Sequence, residues 1–139
     1  MMSRRPRKQQ AVKTTPHYAS EKLYKLLFEQ AADGIFIADT RGRYVEVNWR
    51  GCEILDYTRK EMLDLSIEDL NPTEDLVVDP LRLADLRAGQ IVLSERHLHC
   101  KDGRLLPVEI NVRMLSDGNF LGMVREINYR FCPRQRRWF

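Results

Sequence analysis

The chain has 139 residues, 43% apolar and 31% charged, which is enough for one core-forming soluble domain. No apolar run approaches the ~20 residues of a membrane-crossing helix. The basic start MMSRRPRKQQ leads into no apolar stretch, so neither a membrane span nor a secretory signal is expected. The net charge of +3 belongs to the ends: Arg4, Arg5, Arg7, Lys8 and Lys13 at one, and Arg130, Arg134, Arg136 and Arg137 at the other, while the stretch between is net acidic.

Residues 1–19 carry no apolar periodicity and read as a basic disordered tail, with a second basic tail at 130–139. The domain is expected at 20–129. Cys52, Cys100 and Cys132 are scattered and odd in number, which suits a reducing, cytoplasmic setting better than a disulfide framework.

From Ser20, Leu23, Leu26, Leu27 and Ala31 recur at helical spacing and predict an amphipathic helix ending near Asp33-Gly34. GIFIAD and RYVEVN then read as two strands joined by a turn in which Gly42 supplies a positive φ. Alternation places Ile35 and Ile37 on one face of the first strand, and Val45 and Val47 on one face of the second. Asn48 can cap a helix through Cys52, Ile54 and Leu55. Thr58 and Glu61 have capping-box spacing, and Ser66 with Asp69 marks another short turn, stopped by Asn71-Pro72. Asp75 to Ala88 reads as a longer helix, separated or kinked in its first turn by Pro80. IVLSERHLHC and RLLPVEINVRML form a hairpin around Asp102-Gly103, with Val108, Ile110, Val112 and Met114 alternating. Pro107 suits the first residues of a strand or an edge. Ser116 to Asn119 turns the chain into a last strand, FLGMVREIN.

This order resembles the PAS (sensory box) family, and the residues carry the resemblance: Gly34, Ile35, Asp39, Gly42, Asn48, Tyr57, Glu61 and Met62, then CKDGRLLPVEINV and the closing VREIN. Asp56 stands where the family usually has glycine. The resemblance implies an α+β fold. A five-stranded antiparallel sheet would have short helices on one face and the N-terminal amphipathic helix flanking it. Between sheet and helices it implies a ligand pocket, with Ile35, Ile37, Leu55, Leu65, Leu86, Leu98, Val108, Ile110, Val112 and Met123 as lining candidates. Asp39, Gly42, Asn48, Asp102 and Gly103 are the structural motif residues. Phe36 points opposite to Ile35 and Ile37, and with Leu23, Leu26 and Leu27 it is expected at a homodimer or PAS–PAS interface.

The expected function is sensory signal transduction, with a small ligand or partner shifting a conformational balance read by an output. A dimerisation module without ligand, and a regulator touching nucleic acid through the basic tails, are the alternatives. Such modules serve two-component systems and transcription regulation. The family's closing motif usually runs into a transmitter helix; Pro133 opposes one here, so the output kinase or regulator is expected on another chain or a missing segment. The cofactor is unknown. Haem ligation by a histidine on the long helix is disfavoured because residues 75–88 contain none. A flavin–cysteine adduct is disfavoured because the Asn-Cys-Arg-Phe-Leu motif is absent. His97 and His99 share a strand face without further ligands, so no metal site is expected. No phosphate-binding loop or nucleophile elbow appears, and no enzymatic activity is expected.

Overall fold

A computed structural model describes residues 20–78 and 80–127; the two basic tails expected from the sequence lie outside them. Helix α1 covers 20–30. Strands β1 (Gly34–Ala38) and β2 (Tyr44–Val47) follow. Five short helices come next: α2 (Trp49–Leu55), α3 (Arg59–Met62), α4 (Ile67–Leu70), α5 (Thr73–Val78) and α6 (Leu83–Arg87). Strands β3 (Val92–His99), β4 (Leu105–Met114) and β5 (Phe120–Glu126) close the domain. All pairings are antiparallel, in the order β2-β1-β5-β4-β3, so the first and last strands meet at the centre.

Three hairpin loops use one five-residue design. Position one donates to the carbonyl of position five, and the glycine at position four donates back to the carbonyl of position one. The loops are Asp39–Arg43, Cys100–Arg104 and Leu115–Asn119, with bonds of 2.7–3.0 Å. An aspartate braces each from inside: Asp39 Oδ1 accepts from the Arg41 and Arg43 amides, Asp102 Oδ1 from Arg104 and Asp117 Oδ1 from Asn119. The bonds from these backbone amides lower the Asp39 carboxyl below its ordinary value. The glycine adopts a positive φ of +88° at Gly42, which a side chain would strain.

Helices α3 and α4 start on side-chain bonds of their own. Thr58 and Glu61 exchange bonds at the start of α3, and at α4 Asp69 Oδ2 accepts from both the amide and the hydroxyl of Ser66. Asp56 ends α2 in the left-handed region at φ +65°, which explains why the position suits glycine. The helix expected over Asp75–Ala88 is divided into α5 and α6, with Pro80 between them. Proline lacks the amide a continuous helix needs and crowds the preceding turn.

The sheet's inner face is read from its pairs. Phe36, Gly122, Val112 and Val92 form one row across it, and Gly34, Val124, Ile110 and Ser94 the next. Phe36, Ala38, Val92, Leu98, Val108, Ile110, Phe120 and Val124 are buried there with Leu55, Met62, Leu70 and Leu86 of the helices. The face of β1 is therefore the reverse of the sequence expectation: Phe36 points into the core, and Ile35 and Ile37 lie half-buried on the other side. In β2 a register shift lets Tyr44 and Val47 both point inward and exposes Val45, so Val45 and Val47 do not share a face.

Helix α2 packs against β1 at van der Waals limit. A Cβ on Gly51 would sit 2.8 Å from Val47 Cγ2 and 2.9 Å from Phe36 Cζ, both buried side chains that would have to shift. Gly51→Ala should therefore destabilise the protein by about 1–2 kcal/mol, overpacking exceeding the gain in helix propensity. Urea denaturation checks this; an unchanged or raised midpoint would contradict the packing account.

Candidate functional site

The candidate site is a cavity of about 90 Å³ between the inner face of the sheet and the helical cover. Phe36, Ala38 and Tyr44 of β1 and β2, and Phe120, Gly122 and Val124 of β5, form its floor with Ile110 and Val112 of β4. Val92, Ser94, Arg96 and Leu98 of β3 form one wall. Ile67, Leu70 and Asn71, with Leu81, Arg82, Leu83 and Leu86, form the roof. The roof thus spans the break between α5 and α6.

The space has a structural cause. Gly122 stands at the middle of the row between Phe36 and Val112, where any other residue would place a side chain. A Cβ built there meets nothing nearer than the Phe36 carbonyl at 3.9 Å. The glycine was not singled out by sequence reasoning, although a glycine inside a strand is the signal for such an opening.

The lining is largely apolar, with a few polar groups. Arg96 is 9% exposed and donates its Nη2 to the Pro80 carbonyl at 3.2 Å, tying β3 to the α5–α6 connection. The Tyr44 ring tilts against Phe36, and burial together with the Asp69 carboxylate holds its phenol above the ordinary value, so it remains protonated. Asn71 donates Nδ2 to the Ile67 carbonyl at 2.8 Å.

Of the lining residues expected from the sequence, Leu86, Leu98, Ile110 and Val112 do line the cavity. Leu55 and Val108 are fully buried in the core beside it, and Leu65 packs against that core. Ile35, Ile37 and Met123 belong to the opposite face: Ile35 pairs with Met123 and Ile37 with Leu121. Phe36, expected at a dimer interface, is 4% exposed and cannot serve there, whereas Leu23, Leu26 and Leu27 are exposed on α1. His97 and His99 lie on the outer side of β3. Among the described residues no group of three or more His, Cys, Asp or Glu side chains could hold a metal ion, and no helix is long and apolar enough to cross a membrane. Burial pushes the Cys52 and Cys100 thiols up, away from the reactive thiolate.

Asn48 connects this site to the flanking helix. It is wholly buried. Its Oδ1 accepts from the Ile35 and Gly51 amides, both at 2.9 Å, and its Nδ2 donates to the carbonyls of Phe28 at 2.8 Å and Asp33 at 3.1 Å. One side chain therefore fixes α1, β1 and the first turn of α2.

The PAS fold family model matches residues 22–127. The chain belongs to the PAS family. A domain of a sensory box sensor histidine kinase/response regulator from Geobacter sulfurreducens is 37% identical, with a TM-score of 0.70 over 78% of this chain and 96% of that one. The sensor histidine kinase TmoS of Ectopseudomonas mendocina is 32% identical over 100 residues, covering 70% of this chain and 10% of the relative. A methyl sulfide methyltransferase-associated sensor of Methanosarcina acetivorans is 25% identical over 100 residues, again covering 71% and 10%. The PAS chain thus spans about a tenth of the length of the curated relatives it matches.

Replacing Asn48 by alanine leaves two buried amides and two carbonyls without their partner. The expected loss is about 3–4 kcal/mol, at roughly 1 kcal/mol per bond. Chemical denaturation of Asn48→Ala measures it; a loss below 1 kcal/mol would show that the junction does not depend on this amide.

Proposed function

We propose that the chain is the sensory part of a signalling protein, taking a small, mainly apolar molecule into the PAS cavity. The resulting shift in the surrounding helices is read by an output kinase or regulator elsewhere. The observation that carries this reading is the cavity formed around Gly122, because a purely structural core has no use for a gap in its centre. Sensor relatives support the signalling context, and the role is binding rather than catalysis, in a cytoplasmic setting.

Size limits the ligand. A water takes ~30 Å³ of liquid, so 90 Å³ is the share of about three waters and suits a molecule of about three to five non-hydrogen atoms. At the best efficiency of ~1.5 kcal/mol per atom, such a molecule binds no tighter than micromolar. Weak binding of this kind survives no purification, so the test is a titration. Alcohols, ethers, ketones and thioethers of this size, at millimolar concentration, should move the amide resonances of Leu86, Ser94 and Ile110. Gly122→Val should fill the space, abolish those shifts and leave stability within about 1 kcal/mol of the parent. A panel without any effect on these resonances, or equal shifts in the filled variant, would refute the reading.

A second reading concerns assembly, favoured by the exposed row Leu23, Leu26 and Leu27 on α1, each more than half exposed. We propose that this row pairs with a second copy of the chain. Leu23→Glu with Leu27→Glu should then convert a dimer to a monomer in light scattering at high micromolar concentration; a parent that is already monomeric there would contradict it.

A further inference from the structure

Asn71, in the cavity roof, carries a polar atom that the fold itself does not use. Asn71 is 6% exposed and lines the cavity roof where α4 gives way to α5. Its amide cannot be turned over, because the Ile67 carbonyl only accepts and so holds Nδ2. This leaves Oδ1 as the remaining end of the amide, and Oδ1 is buried with no hydrogen-bond partner among the described residues. Capping the end of α4 explains the Nδ2 half of the side chain. It does not explain a buried acceptor without a donor, which an apolar residue of the same size would avoid.

We propose that the ligand of this cavity carries an O–H or N–H donor that ends on Asn71 Oδ1. This rests on the ligand-binding reading and sharpens it to a class: neutral molecules of about three to five non-hydrogen atoms with an apolar body and one donor, such as short-chain alcohols. The apolar body faces Phe36, Ile110, Phe120 and Leu86, which offer it no polar partner. Ser94 also lines the cavity and brings the one hydroxyl group of β3 to it. A site built around a hydrogen-bonding group discriminates strongly against an analogue that lacks it, since the buried protein atom is then left without its bond.

The test uses two isomers of equal composition. 1-Butanol donates a hydrogen bond and diethyl ether does not, while both fit the same volume. Each is titrated into the full chain and followed by the amide resonances of Leu86, Ser94 and Ile110. The parent should bind 1-butanol at least tenfold more tightly. Asn71→Leu, which keeps the volume and removes the acceptor, should bind both isomers alike. Equal affinities in the parent would overturn the donor assignment while leaving the cavity reading standing, and this comparison needs no variant to fold. A preference that survives in Asn71→Leu would place the donor contact elsewhere and also overturn it. Failure of both isomers to move the cavity resonances would overturn the cavity reading and the inference together.

Discussion

The side-chain amide of Asn48 has two donor hydrogens and an oxygen able to accept twice, and the fold uses all four. In a buried, low-dielectric position such a network must be complete, because any missing bond leaves a polar group stranded. Its partners come from three elements that the chain could otherwise arrange independently: the end of α1, the start of β1 and the first turn of α2. The Asn48 backbone adds a fifth link, its amide donating to the Ile35 carbonyl at 3.0 Å. Fixing β1 in this way sets which of its faces is inward. That choice carries across the sheet, since β1 pairs with β5 and β5 with β4.

Once the inward face is fixed, the cavity follows from local chemistry. Phe36 and Val112 flank Gly122, and the glycine leaves the gap between them open. The cover over the gap is made of single-turn or two-turn helices, with Pro80 in the break between α5 and α6. A roof of that kind has few bonds along its length and can shift in parts, whereas the sheet beneath cannot. Ion pairs at the surface such as Arg59–Glu46, Lys101–Glu61 and Arg125–Asp33 fasten the periphery weakly, because water screens them. The rigid part and the adaptable part of the domain thus meet at the cavity, which is where a small molecule could bias one arrangement over another.

Much of the frame was legible in the residues. The Asp-Gly loops announce their hairpins because their chemistry is local, and Thr58–Glu61 and Ser66–Asp69 announce their helices for the same reason. Asn48 was legible as a cap for α2, but not as the partner of the Phe28 carbonyl, which lies 20 residues away in sequence. The expectation that Ile35 and Ile37 face the pocket is the reverse of what the structure shows. GIFIA is apolar on both alternating faces, so periodicity defines two sets without saying which one is inside. Only the register with β5, where Phe36 meets Gly122, decides it. The extra residue in β2 hid in the same manner, since Val45 and Val47 alternate correctly in sequence and not in space. A void leaves no letter in a sequence; here its one trace was a glycine within a strand, and Asn71 looked like a helix stop alone.

The central claim is that the space around Gly122 is a binding site and not a packing gap. It is tested most directly by a crystal structure of the protein grown in millimolar 1-butanol. The account predicts density for one small molecule bounded by Phe36, Leu86, Ile110 and Phe120, with its oxygen within hydrogen-bond distance of Asn71. Side chains collapsed into the space, leaving no room for a ligand, would contradict it.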